Sequence, residues 1–208
     1  MLTFLAFPDR APTRRRPPAR HGGRVRALPY VAAMIPLLAI ALALSGPAAG
    51  GLSAEAARAD ACAYAEGHPR KITRRQARDA TVCLINNRRA SHGEDQLGTK
   101  SGLRKSAGRH SRRMRRGCFA HECPGEQGLV GRVHATSYLP CNCSWGIGEN
   151  IATGRRKRGT PLGAVEAWMG SSSHRRTLLD GDFDHLGVGV AWRKHKAYYT
   201  ADFGYKRG

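Results

Sequence analysis

From Thr73 onward the apolar positions recur first with a helical period and then with a strand period. Ala77, Ala80 and Leu84 form one stripe, Thr73 with Gln76 three residues later makes a capping box, and Gly93 stands where that helix should stop. Leu103, Ala107, His110 and Met114 recur at i, i+4, i+7 and i+11, which predicts a second helix before Gly117. Thr160-Pro161 reads as an N-cap followed by an N1 proline and opens a third helix carrying Val165, Trp168 and Met169. A short helix is expected from about Ser172 to Leu179. The period then changes. Leu186, Val188, Val190 and Trp192 alternate, a polar turn spans Arg193 to Lys196, and Tyr199, Ala201 and Phe203 alternate again, which is a hairpin. Ile147, Glu149 and Ile151 give a third alternating set between glycines. Helices first and an antiparallel sheet last predict an α+β domain over residues 73–205, after a linker over 60–72.

The N-terminal part has a different pattern. Residues 1–30 hold seven Arg and one Asp, Val31 to Leu44 is apolar, and small residues follow from Ser45 to Gly51. A basic n-region, a short apolar run and an A-x-A exit describe a secretory signal peptide, so residues 1–59 are expected to be removed by a cut before Asp60. The alternative is an N-terminal anchor over residues 27–52. A span needs about 20 predominantly apolar residues, and the run Val31–Leu44 has only 14.

Charge narrows the function classes. The 208-residue chain has a formal net charge of +20, and removal of residues 1–59 leaves 27 basic and 13 acidic side chains, a net +14. Such a surface attracts anions: a lipid headgroup, a wall polymer or nucleic acid. Nucleic acid is argued against, because no stacking aromatics interleave with Arg112-Arg113, Arg115-Arg116 or Arg155-Arg156-Lys157-Arg158, which read as solvated faces and a loop. A monomer is expected.

All six cysteines lie after the expected cut, an even count that suits three disulfides in an exported domain. Cys62 and Cys83 stand apart from the other four and are expected to pair. Cys141 and Cys143, with one residue between them, have poor geometry for a mutual bridge, so they are expected to reach across to Cys118 and Cys123. Zinc ligation is the weaker alternative, since no C-x₂-C pair occurs.

Candidate chemistry gathers in a few positions. Glu149 shares a strand face with Ile147 and Ile151, where a carboxylate must be paired, hydrogen-bonded or metal-bound. His121 follows the second helix, Glu126 comes five residues later in a loop with Gly and Pro, and His174 stands where the third helix meets the short one. The stretches Cys118-Phe119-Ala120-His121, Gly148-Glu149-Asn150-Ile151, Ala167-Trp168-Met169 with Ser173-His174-Arg175, and Gly187-Val188-Gly189-Val190 resemble, in order, those of the CAP superfamily. That superfamily comprises cysteine-rich secretory proteins, venom antigens, plant pathogenesis-related proteins and many exported bacterial members. Tyr198 to Gly204 resembles its final strand, and the resemblance covers roughly Ala80 to Gly204.

The resemblance implies a three-layer α-β-α sandwich with a small antiparallel sheet. It also implies a cleft of two His and two Glu, carried over here to His121, Glu126, Glu149 and His174. His121 and His174 are the expected ligands of Zn²⁺ or another divalent ion, with the carboxylates supplying charge or a base. Thr177 stands where the family usually has Asn, and His110 reads as core. Family members are associated with sterol or lipid binding, metal binding, defence and proteolysis. The expected function is therefore a secreted binding module with a His/Glu cleft for a divalent metal and a lipid, sterol or cell-wall ligand. The rival is a metal-assisted extracellular hydrolase with Glu126 or Glu149 as base. Against it, His121-Glu122-Cys123-Pro124-Gly125 lacks the second His of H-E-x-x-H, and no G-x-S-x-G occurs.

Overall fold

Thr73 and Gln76 start the first helix as their spacing predicts: the Thr73 hydroxyl accepts from the Gln76 amide at 3.1 Å, and the Gln76 side chain accepts from the Thr73 amide at 2.7 Å. The structure is a computed structural model that describes residues 62–208 and the strand Leu5–Ala6. The signal-peptide segment, its cut before Asp60 and the alternative anchor lie outside the described residues, that strand apart. No described helix is long and apolar enough to cross a membrane.

In chain order the elements are β1 (Leu5–Ala6), α1 (Arg74–Ser91), β2 (Gly98–Thr99), α2 (Ser101–Met114), α3 (Leu129–His134), β3 (Ser144–Arg155), a 3₁₀ turn (Arg156–Gly159), α4 (Pro161–Met169), α5 (Ser172–Leu178), β4 (His185–Arg193) and β5 (Lys196–Arg207). Strand order across the sheet is β1-β3-β5-β4-β2. β5 is antiparallel to both β3 and β4, and β2 joins β4 in parallel. The hairpin, the three main helices and the short fourth fall where the periodicity places them. α3, β2 and the 3₁₀ turn were not anticipated.

The sheet has two unlike faces. One packs Leu186, Val188, Val190, Tyr199, Ala201 and Phe203 against Leu84 and Ile85 of α1, Val165 and Trp168 of α4, and Leu178 of α5. The other meets α2 and α3, through Ile147 with Leu103, Leu129 and Val133, and through Ile151 with Met114. Helices on both sides of a mainly antiparallel sheet make the three-layer α-β-α sandwich. α2 lies close because β4 offers it glycine. A Cβ at Gly187 would stand 2.2 Å from the Leu103 and Arg104 backbone, and one at Gly189 would stand 2.2 Å from that of Ala107.

Three disulfides are present, and two of them correct the expected connectivity. Cys62 pairs with Cys83, as expected. Cys118 pairs with Cys123 and Cys141 with Cys143, rather than across the two segments. The bent backbone around Asn142 brings the Cα atoms of Cys141 and Cys143 to 5.3 Å, inside the range a bridge requires, so the single intervening residue is no obstacle.

Candidate functional site

On the α2 side of the sheet, register sets the chemistry. Glu149 of β3 is the cross-strand partner of Asp202 of β5, and both carboxyl groups are fully buried. Alternation that sends Tyr199, Ala201 and Phe203 to one face sends Thr200 and Asp202 to the other, where α2 presents Ser106, His110 and Ser111. Ser111 donates to Thr200 at 2.9 Å. A buried polar cluster thus lies where α2 faces β3 and β5, beside the close backbone approach of α2 to β4.

Glu149 is the centre of that cluster. His121 Nδ1 lies 2.8 Å from its Oε1, Arg132 Nη2 is hydrogen-bonded to its Oε2, and His110 Nε2 stands 3.8 Å from the same oxygen. Burial pushes the Glu149 carboxyl up. The hydrogen bond from His121 and the charge of Arg132 outweigh it, so the group sits below the usual carboxylate range and is ionised. Asp202 has the opposite fate. Burial, then the neighbouring Glu149 charge, push it well above its ordinary value and keep it protonated. Neither Asp202 oxygen meets a well-aligned hydrogen-bond partner among the described residues, although Ser106 and Glu149 lie near enough to act on its proton.

Arg132 also donates to the carbonyls of His121 and Gln127, at 3.0 and 3.1 Å. It therefore holds both the anion and the loop that carries His121. Glu126, on the same loop, accepts from His110 Nδ1 through Oε2 at 2.8 Å. His110 is buried, as its helical stripe requires, yet its ring joins the polar cluster, which corrects its assignment to the apolar core.

His174, from α5, is buried, and neither of its ring nitrogens has a hydrogen-bond partner among the described residues. Asn150 Nδ2 fixes its backbone by donating to the His174 carbonyl at 2.9 Å. Burial, then the His121 charge, lower the His174 imidazole pKa, so it is neutral at neutral pH. Thr177, where the family pattern has Asn, spends its hydroxyl on the Ser173 carbonyl one helical turn back, at 3.3 Å.

The structure thus brings His121, Glu126 and Glu149 into one network with His110 and Arg132. His174 stands nearby and is not among the groups of three or more donors within 4.8 Å of one another. Among the described residues such a group is formed by His110, Cys123 and Glu126. Arg132 and Asp202 were not anticipated. Asp202 was signalled by the alternation of β5, once β5 is paired with β3.

Residues 82–203 match the model of the CAP, or cysteine-rich secretory protein, family, and the chain belongs to that family. It is 35% identical over 111 residues to an uncharacterized Bacillus subtilis protein, YkwD, covering 52% of this chain and 40% of that protein. An extracellular protein from Bacillus anthracis containing an SCP domain superposes with a TM-score of 0.52 at 26% identity, over 66% of this chain and 44% of that one. An outer surface protein from Borrelia burgdorferi shares the fold, with a TM-score of 0.50 at 20% identity, over 61% of this chain and 90% of that one. The chain therefore spans less than half the length of the two Bacillus proteins.

Proposed function

We propose that this member of the cysteine-rich secretory protein family is an extracellular binding module whose His/Glu cleft takes a divalent cation. Three disulfides and no free cysteine among the described residues support an oxidising compartment, and a secretory signal within residues 1–59 would deliver the chain there. The observation that carries the cation reading is His174: a buried, neutral imidazole with both nitrogens unpartnered among the described residues. His121 lies near enough for its charge to act on it, and His121 is in turn bound to Glu149. Neutral imidazole is the form that ligates a metal, and a buried polar group without a partner is costly unless something binds it. His121 and His174 would hold the ion, and Glu149 would orient His121 from behind.

The same geometry argues against hydrolysis with Glu149 as base. Both of its oxygens are engaged, by His121 and Arg132, and its ionised form is stabilised, which lowers its basicity. The second partner in this reading is an anionic lipid or wall polymer. A cavity of about 500 Å³ is lined by Val82, Leu186 and Val188, by Lys100 and Arg104, and by Arg78 paired with Asp79. Two cations outside that pair, Lys100 and Arg104, thus stand beside an apolar floor suited to an amphipathic anion.

Calorimetry with Zn²⁺ on the oxidised protein and on His174→Ala tests the cation reading. One equivalent bound by the wild type, with the heat lost in the variant, is the expected result. Equal heats from both, or none from either at neutral pH, would leave a bracing network and no ion.

A further inference from the structure

The segment Cys123-Pro124-Gly125-Glu126 is a tight turn. The Glu126 amide donates to the Cys123 carbonyl at 3.0 Å, Pro124 fills the second position, and Gly125 takes φ of +70° at the third, the pattern of a type II turn. Arg113 braces it by donating to the Pro124 carbonyl. Such a turn sets the side chains of its first and last residues beside each other, and α2 supplies His110 against them. A His110 nitrogen, Cys123 Sγ and a Glu126 oxygen all lie within 4.8 Å of one another. His110 and Cys123 are buried and Glu126 is nearly so.

This is a nitrogen, sulfur and oxygen donor set of the kind that binds zinc and leaves a fourth position open. It is blocked in the oxidised chain, because Cys123 Sγ is bonded to Cys118 and the thiolate is the ligating form. We infer that the Cys118–Cys123 disulfide gates a metal site made of His110, Cys123 and Glu126, closed when oxidised and opened by a dithiol reductant. The site does not require that the oxidised cleft proposed above bind an ion.

Cys118 is the more accessible half of the bridge: it is half-buried, whereas Cys123 is 3% exposed. A reductant thiolate therefore attacks Cys118 Sγ, the S–S bond breaks, and its electron pair leaves on Cys123 as a thiolate. The second thiol of the reductant, as thiolate, then attacks the mixed disulfide. That step releases Cys118, which takes up a proton, and closes the reductant into its own disulfide, a two-electron oxidation. Zn²⁺ takes the Cys123 thiolate together with His110 and Glu126. Donors at 2.0–2.3 Å from a tetrahedral zinc stand about 3.5 Å apart, a spacing that the set can reach by small side-chain movements once Cys123 is freed.

Co²⁺ reports the thiolate through its sulfur-to-cobalt charge-transfer absorption. The oxidised wild type should show no such band, and Cys118→Ser, which leaves Cys123 free, should show it without reductant. Wild type treated with a dithiol until mass analysis finds Cys118 and Cys123 reduced should gain the band, whereas Cys123→Ser should lack it under either condition. That second route decides the matter if Cys118→Ser does not fold. A band in the oxidised wild type or in Cys123→Ser overturns the gate, as does its absence from reduced wild type at saturating Co²⁺. Failure of the cleft reading is a separate result: no metal uptake by the oxidised wild type, with these bands unaffected.

Discussion

Arg132→Met isolates what the buried anion costs. In the folded protein the Glu149 carboxylate is fully buried and faces the Arg132 guanidinium, with His121 at 2.8 Å and His110 at 3.8 Å. Two unit charges 4 Å apart at an effective dielectric constant of about 20 interact by about 4 kcal/mol. Removing one partner of a buried pair costs about 3–5 kcal/mol, because the other charge is left without compensation. Methionine keeps the apolar volume of the arginine stem, so the loss is chiefly electrostatic. The expected destabilisation at pH 7 is therefore about 3–5 kcal/mol, a large share of the roughly 5–15 kcal/mol that holds a typical domain together. Its pH dependence is diagnostic. In the wild type the Glu149 pKa is lowered on folding, so its contribution is present above the unfolded value and is lost as pH falls through the folded one. In the variant, burial dominates and raises that pKa, so Glu149 takes up a proton as pH falls and the penalty is relieved. The gap between the two proteins should narrow by more than about 1 kcal/mol between pH 7 and pH 4. Urea unfolding followed by far-ultraviolet circular dichroism, with disulfides intact, measures it at both ends. A cost below about 1 kcal/mol at pH 7, or a gap that does not change with pH, would refute the ion-pair account.

Gly189→Ala should destabilise by at least about 1–3 kcal/mol, because the new Cβ would meet the Ala107 backbone at 2.2 Å and only movement of α2 relieves it. Thermal unfolding checks this, and an unchanged midpoint would mean that α2 does not lie where described. Replacing both Cys62 and Cys83 by Ala opens a loop with a separation of 21 residues and should cost about 3 kcal/mol. The same change at Cys141 and Cys143, two residues apart, should cost roughly half as much, so equal losses in denaturant titrations would contradict the connectivity. Asp202→Asn should be nearly silent at neutral pH, since a protonated carboxyl and an amide are close in shape and charge, whereas Glu149→Gln should be costly. Comparable losses from the two would show that Asp202 is ionised.

The elements read correctly from the sequence are those specified locally. The Thr73 capping box, the Thr160-Pro161 start and the polar turn from Arg193 to Lys196 each contain their own signal within a few residues. α3 and β2 carry no such signal: six and two residues are too few to display a period. The chemistry divides in the same way. A helical stripe shows that His110 is buried, but not that β3, more than 30 residues away, sets a carboxylate opposite it. Asp202 is invisible until β5 is paired with β3, and Arg132 until α3 exists to carry it. The two short disulfides were misassigned because a rule about spacing was applied to a backbone that bends.

The polar cluster where α2 faces β3 and β5 is hard to justify by stability. A buried ion pair is often no better than well-packed apolar side chains of equal volume, and desolvating Glu149, Arg132 and Asp202 costs more than filling the same space with leucine would. The opposite face of this sheet shows the cheaper solution, packing Val188, Tyr199, Ala201 and Phe203 against α1, α4 and α5, where the buried Arg89 of α1 bonds backbone carbonyls of Asp95, Leu178 and Asp180 rather than a group on the sheet. The sheet itself therefore does not require polar groups. They occur on the face that also receives the His121 loop and the Cys123–Glu126 turn. Arg132 links them by tying the Glu149 anion to the carbonyls of His121 and Gln127, so the position of the loop depends on the charge of Glu149. A cluster that spends stability to fix imidazoles and carboxylates in one place suits a site that must hold something from outside the chain.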